Sequence, residues 1–438
     1  MSTPLFVVYF LFALFVFPLL LGSNRPPLAL LVIAVVAVIV WLAVRRQSSS
    51  EISPERRTGV GLVAFGLLLP VLWGVVQALP LWGSADGACA RLFPPSSPET
   101  FDQMTSGCAL SLDPWASLQI ASLYGGYYLA FVAGFRMRIG HRRAGYLLSM
   151  IVGYLVVAIT LPALWTVAWS EGVSGTFVNP NHFAAFALLL LSLAGYAWHV
   201  QSRMPEMGAE RGGWLRALPV VAVPLAVIAV LLSDSRAALL GLLVGLMALY
   251  PYMRSRYKSN RFGLPLVLLA GLAVVGLSVL GVGGFGSLLK QGLESTRYQM
   301  WTTSLSMLLD YPFAGVGTGA FVYAYPRYKV FGSEMTVIDH PHNELLELFI
   351  EQGVIVPAIA ASLVLLGIGK LVRSSRLSSA DSRAMRPATW ILLAGLLAFL
   401  TVAMLDFPSR IPAVGILAYT VLGLAIQRLA GVKYSRND

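Results

Sequence analysis

Residues 183–200 read FAAFALLLLSLAGYAWHV, a run with no Asp, Glu, Lys or Arg. An α-helix rises about 1.5 Å per residue, so such a run nearly spans the ~30 Å hydrocarbon core of a bilayer. Apolar runs of similar length recur from end to end. Twelve spans are expected, at 4–22, 27–44, 59–82, 115–135, 144–168, 183–200, 217–233, 237–252, 263–281, 352–372, 388–406 and 412–430. The first lacks a basic n-region and a small-residue cleavage site, so it reads as a retained helix rather than a signal peptide. The fold class expected is an all-α polytopic membrane protein. It divides into residues 1–281 with nine helices and an outer loop at 83–114, a large outer loop at 282–351, and residues 352–438 with three helices and a tail.

Composition agrees. Of 438 residues 57% are hydrophobic and 12% charged, against ~25% charged in soluble domains. This excludes an ordinary soluble enzyme, a disordered chain and a coiled coil. The net charge of +11 invites a nucleic-acid reading, but the basic residues are sorted by loop. Arg45, Arg46, Arg56 and Arg57 share one side with Arg136, Arg138, Arg142, Arg143, Arg203, Arg211 and Arg216. Arg254, Arg256, Lys258, Arg261, Lys370, Arg373, Arg376, Arg383, Arg386, Arg428, Lys433 and Arg436 join them. The positive-inside bias therefore places both termini in the cytoplasm and needs no nucleic acid. The opposite, periplasmic side carries few cations, among them Arg236, Arg297 and Arg410.

Two cysteines are too few for a disulfide scaffold and wrongly spaced for zinc. No cluster suggests haem, iron–sulfur or any other cofactor. Cys89 and Cys108 both fall in the 83–114 loop, on the oxidising side, and are expected to pair. Thiol labelling of intact cells with and without reductant checks this; free thiols under oxidising conditions would remove the pair. Replacing both by Ser should cost at most ~2–4 kcal/mol of stability and leave the chemistry intact.

Polar groups gather at outer membrane ends. Gly175-Thr176-Phe177-Val178-Asn179-Pro180-Asn181-His182 opens the sixth span. A helix cap explains one Asn there; the second amide and His182 point to binding. Ser233-Asp234-Ser235-Arg236 is a linker too short to leave the surface. Its guanidinium either pairs with Asp234 or serves as a planar fork for phosphate oxygens. Arg297 begins a segment whose Trp301, Leu305, Leu308 and Leu309 form an apolar helical face, expected to lie along the membrane. Asp310-Tyr311-Pro312 follows, then Gly315-Val316-Gly317-Thr318-Gly319, which lacks the Lys-Ser/Thr of a phosphate loop and reads as tight turning. Asp406-Phe407-Pro408-Ser409-Arg410 places another arginine at the outer surface, with Asp406 as its simplest partner.

The richest segment is Asp339-His340-Pro341-His342-Asn343, leading into Glu344-Leu345-Leu346-Glu347-Leu348-Phe349-Ile350-Glu351. Pro341 fits the first turn of a helix. Glu344, Glu347 and Glu351 fall on one face, read as solvated rather than nucleophilic. The positive end of the helix dipole disfavours imidazolium, and a neutral imidazole is what a general base needs at neutral pH. A metal held by Asp339, His340 and His342 is disfavoured, because alternate residues at a helix start splay their ligands. No metal is expected.

His342-Asn343, nine residues and then Gly353-Val354-Ile355-Val356 resembles the His-Asn-x9-Gly-x-x-Gly signature of the O-antigen ligase family, which includes bacterial polysaccharide polymerases. Val356 replaces the last glycine. The Asn179–His182 segment, Ser235-Arg236, and Arg297-x-x-x-Trp301 with Asp310-x-Pro312-x-x-Gly315-x-Gly317 also look like family features. The resemblance implies a C-type, metal-independent membrane glycosyltransferase of the bacterial inner membrane, active at the periplasmic face. Its donor would be an undecaprenyl-diphosphate-linked glycan, and its acceptor the lipid A core or another glycan. It implies Arg236, Arg297 and His342 as the essential residues, Asn343 as part of the motif, and Asn179, Asn181 and Arg410 as weaker carry-overs to substrate binding. A lipid-linked glycan transporter would instead need charges along a path through the bilayer, and the spans are nearly free of them.

Overall fold

The computed structural model describes residues 3–19, 33–39, 52–79, 109–165, 173–202, 213–256, 296–329, 337–377 and 380–432. The expected span at 263–281 and the cysteines Cys89 and Cys108 lie outside the described residues. Among the described residues all regular structure is helical. The helices are α1 (Thr3–Leu11, continued to Leu19), α2 (Pro54–Ala78), α3 (Pro114–Arg136), α4 (His141–Trp165) and α5 (Pro180–Ser202). After them come α6 (Gly213–Leu232), α7 (Arg236–Arg256), α8 (Thr296–Asp310), α9 (Phe321–Ala324), α10 (Glu344–Gln352), α11 (Ile355–Leu377), α12 (Ala380–Ala403) and α13 (Pro412–Ala430).

Among the described residues six helices are long and apolar enough to cross a membrane: Pro54–Ala78, Pro114–Arg136, His141–Thr160, Pro180–Ser202, Ile355–Ser375 and Pro412–Ala430. Four shorter apolar helices, Thr3–Val16, Ala217–Leu232, Arg236–Tyr250 and Pro387–Ala403, fall on four more of the expected spans. Of the span expected at 27–44, residues 33–39 are described, as helix.

The described chain forms two compact units. The first takes Met1–Pro54, Leu129–Lys290 and Val372–Asp438. Its core is built on α5 and α13, whose apolar windows are 72% and 83% buried. Helix α5 packs on α4, α6 and α12, and α7 lies along α12. A β-carbon at Gly241 of α7 would sit 2.5 Å from the Ala398 carbonyl oxygen of α12. Small residues of this kind let membrane helices approach closely where hydrophobicity alone provides no attraction.

The second unit takes Glu55–Tyr128 and Gln291–Leu371. Its spans α2 and α11 are each only 22% buried over their apolar windows, as suits lipid-facing helices. In its core Met300, Met307, Tyr311, Val316, Phe321, Tyr325 and Ile350 pack together with Leu112.

Candidate active site

In the first unit, the segment before α5 is built by capping. The Asn179 side-chain oxygen accepts from Asn181 N–H at 2.8 Å. Its carbonyl accepts from His182 and Phe183 at 3.1 and 3.2 Å. Pro180 then enters the first turn, where its missing N–H costs nothing. Asn181 is spent differently: its amide donates to Asp406 Oδ2 at 2.5 Å. His182 Nε2 faces Asp406 Oδ1 at 3.7 Å, and its ring meets Phe407 edge to face at 4.9 Å. Asp406, fully buried, also accepts from Phe407 N–H at 2.9 Å. Asn179 thus caps α5, while Asn181 holds Asp406 beside the Pro408–Arg410 turn.

Arg236 is the first residue of α7 and is half-buried. Ser235 caps the helix, its hydroxyl accepting from Ala238 N–H at 3.3 Å. Ser233 donates to the Val230 carbonyl at 2.7 Å, closing the end of α6. Between the two serines Asp234 is exposed, with φ of 55°. The unbonded amides of a helix start carry partial positive charge, so a guanidinium there concentrates cation for an anion.

In the second unit, Arg297 lies half-buried in the first turn of α8. Met300, Thr303, Ser304 and Met307 form the buried stripe of that helix. Leu305 and Leu309 point outward, 49% and 80% exposed. The apolar face read from the sequence is therefore divided. Trp301 leaves it, because its indole N–H donates to the Pro341 carbonyl at 2.9 Å, and Leu308 packs against the core.

Asn343 caps α10, its side-chain oxygen accepting from Leu346 N–H at 3.0 Å. Such a cap typically contributes ~1 kcal/mol. Pro341 consequently precedes the cap instead of entering the first turn: Asn343 competes better for the cap position. His342, between them, has φ of 52° and is half-buried. Asp234 and His342 are the non-glycine residues with left-handed backbone among the described residues. Asp234 stands just before α7, which opens with Arg236, and His342, itself an implicated residue, stands just before α10. Backbone held this way costs ~1–3 kcal/mol and persists where its surroundings over-determine it, often at functional sites.

Of the acidic face of α10, Glu344 is half-exposed but the other two carboxylates are withdrawn from water. Glu347 and Glu351 are each 1% exposed, and Glu347 Oε1 lies 2.7 Å from His340 Nδ1. The far end of α10 is fastened by the glycine run. Val316 N–H donates to the Ile350 carbonyl at 2.9 Å and Gly317 N–H to the Glu351 carbonyl at 3.0 Å, so carbonyls that a helix end leaves open find partners. Gly315 and Gly353 share φ of 74° and touch through this contact; a β-carbon on Gly353 would meet the Phe313 carbonyl at 2.0 Å. The run is a fitted turn and packing surface. Tyr328 donates to Asp310 Oδ2 at 2.6 Å; burial and that carboxylate push its phenol well above the usual range.

One residue passed over in the sequence joins these parts. Gln77, fully buried in α2, donates to the Ala314 and Glu351 carbonyls, both at 2.7 Å. Its oxygen accepts from Thr318 N–H at 3.0 Å and Thr318 hydroxyl at 2.6 Å. Gln352 adds bonds to the Thr318 hydroxyl and the Pro70 carbonyl, at 3.1 and 3.0 Å. A lone amide in an otherwise apolar span was the available signal.

Residues 221–361 match the family model of the O-antigen ligase family. The matched stretch contains Arg236, Arg297, His342 and Asn343, the residues on which the resemblance rests. No curated protein matches the chain. Residues 221–361 are thus similar to the O-antigen ligase family, and among the described residues six helices are long and apolar enough to cross a membrane.

Proposed function

We propose that the protein is a membrane glycosyltransferase that moves a glycan from undecaprenyl diphosphate to a sugar hydroxyl at the periplasmic face of the inner membrane. The observation that carries this reading is the coincidence of the family match with the two left-handed turns at Asp234 and His342. Arg236 and Arg297 each supply a guanidinium to the diphosphate, the role a divalent metal fills elsewhere. As the acceptor oxygen attacks C1 of the donor sugar, the C1–O bond to phosphate breaks and its electron pair leaves with the diphosphate. The hydroxyl proton passes to His342. One displacement inverts C1. The acceptor is the lipid A core in the ligase reading, and a second lipid-linked glycan in the polymerase reading.

Deleting the gene and resolving the surface glycan by gel tests both. A ligase predicts loss of all long polymer from lipopolysaccharide with lipid-linked polymer accumulating. Capping by a single repeat identifies an O-antigen polymerase, and loss of a secreted polymer alone an exopolysaccharide polymerase. Unchanged glycan would leave neither reading standing.

A further inference from the structure

We propose that Glu347 is a positioning residue for the transfer, acting through His340 on the turn that carries His342; this rests on the reading of His342 as the base. His340 Nδ1 and Glu347 Oε1 are 2.7 Å apart, with side-chain exposures of 22% and 1%. A carboxylate withdrawn from water this far is retained only with a hydrogen-bonding partner. A donated Nδ1–H fixes both the tautomer and the plane of the ring. The contact closes the chain from residue 340 to residue 347 into a loop, with the Asn343 cap inside it. Trp301 pins the next carbonyl, that of Pro341, and the proline ring fixes its own φ. Residue 341 is thus held to α8, while residues 340 and 343 are held to α10. His342 lies between these anchors, with φ of 52°. Without Glu347 the loop opens, His342 relaxes towards negative φ, and its imidazole swings away from the acceptor hydroxyl.

The test compares purified full-length wild type with Glu347→Ala, Glu347→Gln, His340→Ala, His340→Asn and His342→Ala. The probe is an undecaprenyl-diphosphate-linked glycan with a sugar acceptor. Glu347→Ala and His340→Ala should lower kcat by about 10–10²-fold, the size of an ångström-scale misplacement, with KM for the donor unchanged. Glu347→Gln should recover most of the loss, because its amide oxygen accepts the same Nδ1–H. His340→Asn should recover it too, because its amide nitrogen donates where Nδ1 did. Thermal unfolding of each variant separates lost fold from lost geometry. Wild-type kcat per folded molecule in Glu347→Ala overturns the proposal. So does His340→Asn as inactive as His340→Ala, which would make His340 Nε2 the reacting atom. Full activity in His342→Ala would instead overturn the base assignment itself.

Discussion

His342→Ala should lower turnover by about 10²–10⁴-fold, the usual contribution of a positioned general base, while the donor lipid still binds. The two effects separate because, in the proposed reaction, the imidazole would meet the acceptor hydroxyl, whereas guanidinium groups would hold the diphosphate. Measuring donor binding and turnover on the same purified variant gives the answer. Loss of binding together with turnover would make His342 a diphosphate ligand and send the search for the base elsewhere. Asn343 sharpens the contrast. Its side chain is committed to the cap of α10, so its replacement acts on the orientation of the turn.

Arg236→Ala and Arg297→Ala should each lower activity by at least ~10²-fold, as removal of a group stabilising developing negative charge does. Both should weaken donor binding, which distinguishes them from His342→Ala. Arg→Lys at either position should retain partial activity, because an ammonium keeps the charge but loses the planar two-pronged fork. Titrating each variant with the lipid-linked donor checks the order wild type, Lys, Ala. An arginine whose Ala variant bound donor normally would have no part in holding the diphosphate.

The helices were legible because charge-free runs such as residues 183–200 leave the backbone little alternative in lipid. One helix start was legible as a cap, at Asn179; Ser235 and Asn343 are also of capping types and sit at described helix starts, but in the sequence they read as linker and motif, with Pro341 in place of Asn343 at the start of α10. What the chain's order conceals is which face of a short helix is covered. Periodicity correctly put Glu347 and Glu351 together, but only the partners decide burial. Those partners are the turn before α10 and a span some 270 residues earlier. The same reason hid Gln77. In a hydropathy reading it weakens a span; in the fold its amide satisfies two carbonyls and a threonine. Asn181 differs again, since its partner Asp406 is 225 positions away, and a structural anchor is indistinguishable from a ligand until both ends are seen.

Helix α10 has nine residues, too few to persist alone in water. Its carboxyl end is tied by Gln77, separated from Glu351 by 274 positions. During synthesis α2 therefore leaves the ribosome long before the segment it fastens exists. Contacts over such separations form late, since the intervening chain must first be brought together. The turn carrying His342 is consequently among the last parts to take shape, because α10 lacks its fastening until Glu351 has reached Gln77.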